Sequence, residues 1–153
     1  MVVSEAVLKW AMRLYPPFFF QGVWTQKFEE GFIGARVKIR KCIFTRNYNN
    51  STFGGTIVSA ADPFYVILFH QILKRRGYSV RLWLKHASID YIKPADCNLY
   101  FNVVLTEDEI NDAIQHLNST GKFIKTFPVR ITNKEGVLYA KVQNEIYIKK
   151  ITS

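Results

Sequence analysis

After Ser4 in an N-cap position and Glu5 in a first turn, apolar residues recur at helical spacing through Ala6, Val7, Trp10, Ala11 and Leu14. They predict a short amphipathic helix that Pro16-Pro17 ends. The Phe18-Phe19-Phe20 run is too short for a membrane element and reads as core or interface. The period then changes to two. Gly22 to Glu29, and Ile33, Ala35, Val37 and Ile39 alternating with Gly34, Arg36, Lys38 and Arg40, have the pattern of half-buried strands, with Glu30-Gly31 as the turn between them.

Residues 45–55 are polar and turn-rich, and they lead into an apolar stretch from Thr56 to Leu73 without alternation. Its roughly 18 residues exceed the five or six of a usual strand, so a buried helix is predicted, closed by Gly77 after Lys74-Arg75-Arg76. Val80, Leu82 and Leu84, then Ala87, Ile89 and Tyr91, form a long strand whose register changes at Lys85-His86. Pro94-Ala95-Asp96 turns into a strand from Asn98 to Leu105. Thr106 and Glu109 have capping-box spacing for a helix through Leu117. Strands at Phe123–Thr132 and Val137–Ile148 flank a turn at Asn133–Gly136. The order predicts an α+β fold in which a mostly antiparallel sheet wraps a long central helix, apolar nearly all round.

At 153 residues the chain suits one domain over its whole length, residues 1–153. The 21 Lys+Arg against 12 Asp+Glu leave +9, which favours anionic partners without choosing among nucleic acid, lipid headgroups and phosphate-bearing cofactors. The local clusters Lys38-Arg40-Lys41 and Lys74-Arg75-Arg76 read as solvated faces, and no nucleic-acid-reading motif is present. Cys42 and Cys97 lack metal or disulfide-framework spacing, and no two of His70, His86 and His116 have ligand spacing, so no metal is expected. The first segment is broken by Glu5, Lys9 and Arg13, so neither an export signal nor a membrane span is visible and the cytoplasm is the expected location.

Within the apolar stretch Gly55, Ser59 and Asp62 fall at i, i+4 and i+7, one helix face. A carboxylate there is costly unless satisfied or used, and burial would raise its pKa toward that of a general base. Asp62-Pro63 also has two structural readings: an N-cap followed by Pro at N1, starting the helix there, or a helix that runs through Pro63 and kinks beside the carboxylate. Gly54-Gly55 is either a plain tight turn or a bare helix start whose N–H groups can approach a carbonyl or phosphate.

The run from Asn49 to Asp62, with Phe53-Gly54-Gly55 and then Ala61-Asp62, resembles the signature of hotdog-fold acyl-thioester proteins, in which a loop ending in His-Gly-Gly enters the central helix. Lys85–Ala95, Leu14–Phe18 and Ala61–Tyr65 extend the resemblance over nearly the whole chain, closest to an uncharacterised thioesterase-like branch. It implies a single hotdog domain that pairs into a homodimer or a dimer of dimers, with sites formed between protomers. It implies hydrolysis of an acyl thioester, with coenzyme A as part of the substrate, or acyl carrier protein in its place, and no separate cofactor. By position, Gly55 or Gly54 would hold the oxyanion and Asp62 would activate water or attack the carbonyl. Thr52 and Ser59 could hold the lytic water, and Phe53, Ile57 and Phe64 could line the acyl path. Arg46, Lys85 and Lys93 are candidates for the coenzyme A phosphates.

Phe53 stands where many relatives have His, so a hydrogen-bonding group of the loop is missing. That departure favours a rival reading as a non-catalytic acyl-thioester or fatty-acid binding or regulatory protein. A basic nucleic-acid-binding protein is a more distant rival, resting on charge and aromatic content alone.

Overall fold

The computed structural model describes residues 3–151. Helix α1 (Glu5–Leu14) begins at Ser4, whose hydroxyl accepts from the Val7 N–H. The two prolines that end it start a second short helix, α2 (Pro16–Phe20), because Pro suits the first helical turn, where no N–H partner is needed. Strands β1 (Val23–Phe28) and β2 (Gly34–Ile39) follow, joined by a tight turn in which Gly31 takes φ +71°.

The central helix is broken in its hydrogen bonding: α3 (Gly54–Ala61) meets α4 (Pro63–Arg75) at a bend at Asp62. Asp62 has αR dihedrals, φ −53° and ψ −61°, and its side chain makes no capping bond. Of the open alternatives, the helix through Pro63 is the one adopted. Pro63 has no N–H to offer the Ser59 carbonyl, and the side chain of Asn144 donates to the neighbouring Ala61 carbonyl at 2.9 Å. At the far end Gly77 (φ +85°) closes α4 in a Schellman arrangement, with Gly77 N–H donating to Lys74 O and Tyr78 N–H to Leu73 O.

Strands β3 (Val80–Tyr91), β4 (Leu99–Val104), β5 (Lys122–Thr132) and β6 (Leu138–Lys150) complete a six-stranded sheet of order β1-β2-β4-β5-β6-β3, antiparallel throughout. The register of β3 against β6 shifts between Leu84 and His86, where the alternation of the sequence changes. Between β4 and β5 lies α5 (Glu107–Ser119), started by the Thr106–Glu109 capping box and packed on the sheet through Ile110, Ala113 and Leu117.

The sheet wraps α3 and α4 on one side. Phe64, Leu68, Phe69, Ile72 and Leu73 are buried against it, whereas Asp62 is exposed and Val66, Ile67 and His70 are only partly buried. The helix is therefore not covered all round, as its apolar content suggested; it has an open face. Length and composition alone would let Gly54–Arg75 span a bilayer, but 61% of its apolar window is buried in this core.

The sheet's two edges differ. Arg13 of α1 donates to the Thr25 carbonyl (2.8 Å) and the Gln26 carbonyl (3.4 Å), covering β1. On β3, 12 residues long, no strand pairs with the free side among the described residues.

Phe64, expected along the acyl path, is a core residue. It follows Asp62 by two positions, about 200° round the helix, which turns it into the sheet when Asp62 faces out. Its ring lies 6.2 Å from Phe18, 6.3 Å from Phe28 and 5.6 Å from Phe101. Phe64→Ala should therefore cost about 3–5 kcal/mol in urea unfolding, as a buried ring replaced by a cavity does. A substitution along an open ligand path would leave stability nearly unchanged.

Candidate active site

The loop before α3 is held by its own side chains and by carbonyls of two neighbouring turns. Asn47 Oδ1 accepts from Asn49 N–H, Ser51 N–H and Ser51 Oγ, each at 3.0 Å. The Thr52 N–H donates to Ala95 O at 2.8 Å and the Phe53 N–H to Thr45 O at 2.7 Å. Asn50 takes φ +59° to close the turn. The result is a rigid entry into α3, whose first N–H groups have no intrahelical acceptor. Among the described residues those of Gly54 and Gly55 meet no other acceptor either.

Two hollows flank that helix start. One, of about 410 Å³, is lined by Asn47, Ser51, Thr52, Gly54, Ile57, Tyr91 and Lys93 among others. The other, of about 370 Å³, lies between Phe44, Arg46, Phe53 and Gly55. The first contains a buried hydroxyl, Thr52 Oγ1, without a hydrogen-bond partner. Tyr91 crosses over the helix start so closely that a Cβ on Gly54 would come within 2.6 Å of its Oη. Burial pushes the Tyr91 phenol up from its usual pKa. A Cβ on Gly55 would collide with the Phe53 ring. A side chain at either position would therefore displace an exposed aromatic ring, and the bare helix start leaves both rings where they are.

Asp62 lies elsewhere. With Gly55, Ser59, Val66 and His70 it shares the open face of the central helix, and its carboxylate has neither a hydrogen bond nor an ion pair among the described residues. The apolar surroundings push its pKa above the ordinary 3.8, and desolvation is the cause. It lies eight positions along the helix from Gly54, about 12 Å along the axis. A carbonyl that accepts from a donor on one side and meets a carboxylate on the other spans about 6 Å. Within one chain the two groups therefore cannot act on the same carbonyl.

The phosphate candidates also separate. Arg46 borders the second hollow and Lys93 the first, where its ammonium lies 5.3 Å from the Tyr139 ring centroid. Lys85 lines neither hollow, because it is engaged at 2.9 Å with Glu145 across the β3–β6 ladder. Ser59 lies on the open face, away from both hollows. Sequence reasoning missed Tyr91 and Asn47. The local pattern marked Tyr91 only as one of the alternating strand positions, and Asn47 only as part of a polar turn.

Chains of known structure share this architecture. A Pseudomonas aeruginosa protein of unknown function, described as a probable thioesterase, superposes with a TM-score of 0.86 at 14% identity, over 99% of both chains. A Chlorobaculum tepidum protein of unknown function gives 0.78 at 16% identity, covering 95% of this chain and 94% of the other. A thioesterase from Haemophilus influenzae gives 0.71 at 10% identity, covering 100% and 95%. None of the curated proteins matches the chain. The fold is that of the hotdog thioesterase-like proteins. Within that class the chain belongs to the family described as domain of unknown function DUF4442, whose model matches residues 4–148.

The lone carboxylate has a consequence for stability. A carboxyl whose pKa is raised on folding carries no penalty below its unfolded value, an increasing penalty as pH rises through the folded value, and the full penalty above it. Asp62→Asn should therefore be more stable than the natural chain at neutral pH, with the two urea midpoints converging as pH falls toward 3.8. Equal midpoints at all pH values would show that the carboxylate is not desolvated.

Proposed function

We propose that this protein hydrolyses acyl-CoA thioesters in sites shared between two copies of the chain. The observation that carries the proposal is the unpaired, desolvated Asp62 on the open helix face, two turns from unused N–H groups that it cannot serve within its own chain. A two-fold partner that pairs with β3 along its free edge would continue the sheet and bring the open helix faces together. Each site then combines Gly54 of one copy with Asp62 of the other. The helix N–H group, at the positive end of the helix dipole, stabilises the oxyanion as the thioester carbonyl is attacked. Asp62, its basicity raised by desolvation, takes a proton from the attacking water, or attacks the carbonyl itself to form a mixed anhydride that water then cleaves to the free acid and the carboxylate. The thiolate of coenzyme A leaves and is protonated. Lys93 and Arg46 supply positive charge at the mouths of the two hollows for the phosphates of the carrier.

The relatives described as thioesterases support the reaction class, and their low identity leaves the substrate to this chain's own residues. A second reading, an acyl-thioester binder without turnover, is favoured by Phe53. That N-cap residue makes no capping bond, and it gives the site an exposed ring in place of a hydrogen-bonding side chain.

Thiol release from short, medium, long and aromatic acyl-CoAs is expected for the natural chain. Asp62→Ala should lose it by at least about 100-fold, the scale of a general base, while remaining folded. Tight acyl-CoA binding without turnover in either protein would replace the enzyme with the binder.

The shared site makes a separate prediction. Gly54→Pro removes the donor at a helix position that tolerates Pro, provided Tyr91 swings aside, and should be inactive alone. Unfolding the Gly54→Pro and Asp62→Asn proteins together and refolding them should restore activity, because a mixed dimer regains one intact site. Mixing that restores nothing, with mixed dimers demonstrated by mass, would overturn the shared arrangement.

A further inference from the structure

The large exposed apolar side chains are concentrated at one end of the chain. Trp10 (51% exposed) and Leu14 (67%) project from α1, Phe19 and Phe20 from α2, and Ile43 (72%) and Phe44 (78%) from the turn after β2. They adjoin one another: the Phe20 ring centroid is 5.6 Å from Phe19 and 6.5 Å from Phe44. Helix α1 is apolar on two sides, with Leu8 and Met12 packed on the core and Val7, Trp10 and Leu14 turned outward at i, i+3 and i+7. The outward ring is also fixed. The Arg13 guanidinium lies 4.7 Å from the Trp10 ring centroid and 4.3 Å from that of Trp24, while its hydrogen bonds anchor it to β1. Among the described residues nothing covers these tips, and a patch of this kind marks an interaction surface.

The charge along these segments is mainly positive, although Arg36 is paired with Glu29 at 3.0 Å. From Gly31 to Ala61 there is no Asp or Glu, while Arg36, Lys38, Arg40, Lys41 and Arg46 all fall there, and α1 adds Lys9 and Arg13. The one acidic residue of α1, Glu5, is already paired with Arg75 at 2.9 Å.

We propose that α1, α2 and the Ile43–Phe44 turn form a face that docks on an anionic lipid bilayer. The apolar tips enter the boundary between headgroups and acyl chains, and the surrounding cations meet lipid phosphates. A second copy of the chain is a poorer occupant, because a symmetric contact would press two copies of the same net-positive surface, Lys9, Arg40 and Arg46 included, against each other. A bilayer also needs no matching shape, which suits tips carried on three separate short elements instead of a groove.

The test is sedimentation of the full chain with vesicles of phosphatidylcholine alone and of phosphatidylcholine with phosphatidylglycerol in equal parts. Binding is expected to the mixed vesicles, with a blue shift of tryptophan emission, and should weaken as salt rises. Phe20→Ser with Phe44→Ser should weaken it by at least about tenfold, and Lys9→Gln or Arg40→Gln by about fivefold each. Leu14→Ser, on a different element, provides the check should the double variant fail to fold. The proposal is overturned if the mixed vesicles carry down no protein, or if the apolar variants bind them as well as the natural chain does. It is equally overturned if those variants split an oligomer in sedimentation velocity and vesicle binding is absent, since the face would then be a contact between copies.

Discussion

One missing hydrogen bond organises the centre of this molecule. Pro63 has no N–H, so the Ser59 carbonyl loses its intrahelical donor and α3 parts from α4 at Asp62. A free helix end in a core would be costly, but the break stays helical in its dihedrals, and buried Asn144 ties the Ala61 carbonyl to β6. The bond joins the helix to the sheet at the level of the kink. It also fixes the rotation of α3, so that the bare glycines emerge between two hollows while Asp62 faces away from the sheet. Replacing Pro63 by an ordinary helix former would offer Ser59 its donor and remove the reason for the break beside the carboxylate.

Asp62 is unfavourable where it stands. Helices normally answer a carboxylate with a cation four residues along, and at that position this one has Val66, an apolar neighbour that deepens the desolvation. A residue that stabilises neither the helix nor the core suits the chemistry proposed for it. The distance along the helix then decides how. About 12 Å of α-helix separates the carboxylate from the donors at Gly54, so neither group completes a site unless another surface approaches the open face. The unpaired edge of β3 and that open face are two exposures that a single two-fold operation would remove together.

Most of the frame was legible because it depends on neighbours in sequence. The Thr106–Glu109 box, the Gly77 cap and the shift at Lys85-His86 are local devices, and each is where the pattern put it. The helix start at Gly54 was left open by the sequence, between a tight turn there, a bare helix start and a start at Asp62, and the structure sets it at Gly54. What was not legible depends on direction or on distant pairing. Phe64 stands two positions from Asp62 in sequence but on the opposite side of the helix, and adjacency suggested a shared role that rotation forbids. Lys85 was attractive as a cation near the motif, but only the β3–β6 pairing, which sets Glu145 opposite the neighbouring His86, brings that carboxylate to it. Tyr91 is 37 residues from Gly54 and reaches it only because the end of β3 returns past the helix start. No periodicity reports such a crossing.

The aromatic content, which is more than a minimal core requires, divides by location. Phe64, Phe69, Phe101 and Phe127 fill the space between helix and sheet, while Trp10, Phe19, Phe20 and Phe44 face solvent on the segments that precede the central helix. The charge divides along the same line, since Gly31 to Ala61 lacks any acidic residue. A net charge of +9 spread evenly would serve solubility alone. Five of those nine net charges lie between Gly31 and Ala61, beside exposed rings, and Phe44, Arg46 and Phe53 carry that character to the rim of the hollow at Gly55. The surface that would meet a bilayer is therefore continuous with one of the two approaches to the helix start. An acyl group arriving from that side would pass from one apolar environment to another without crossing open water.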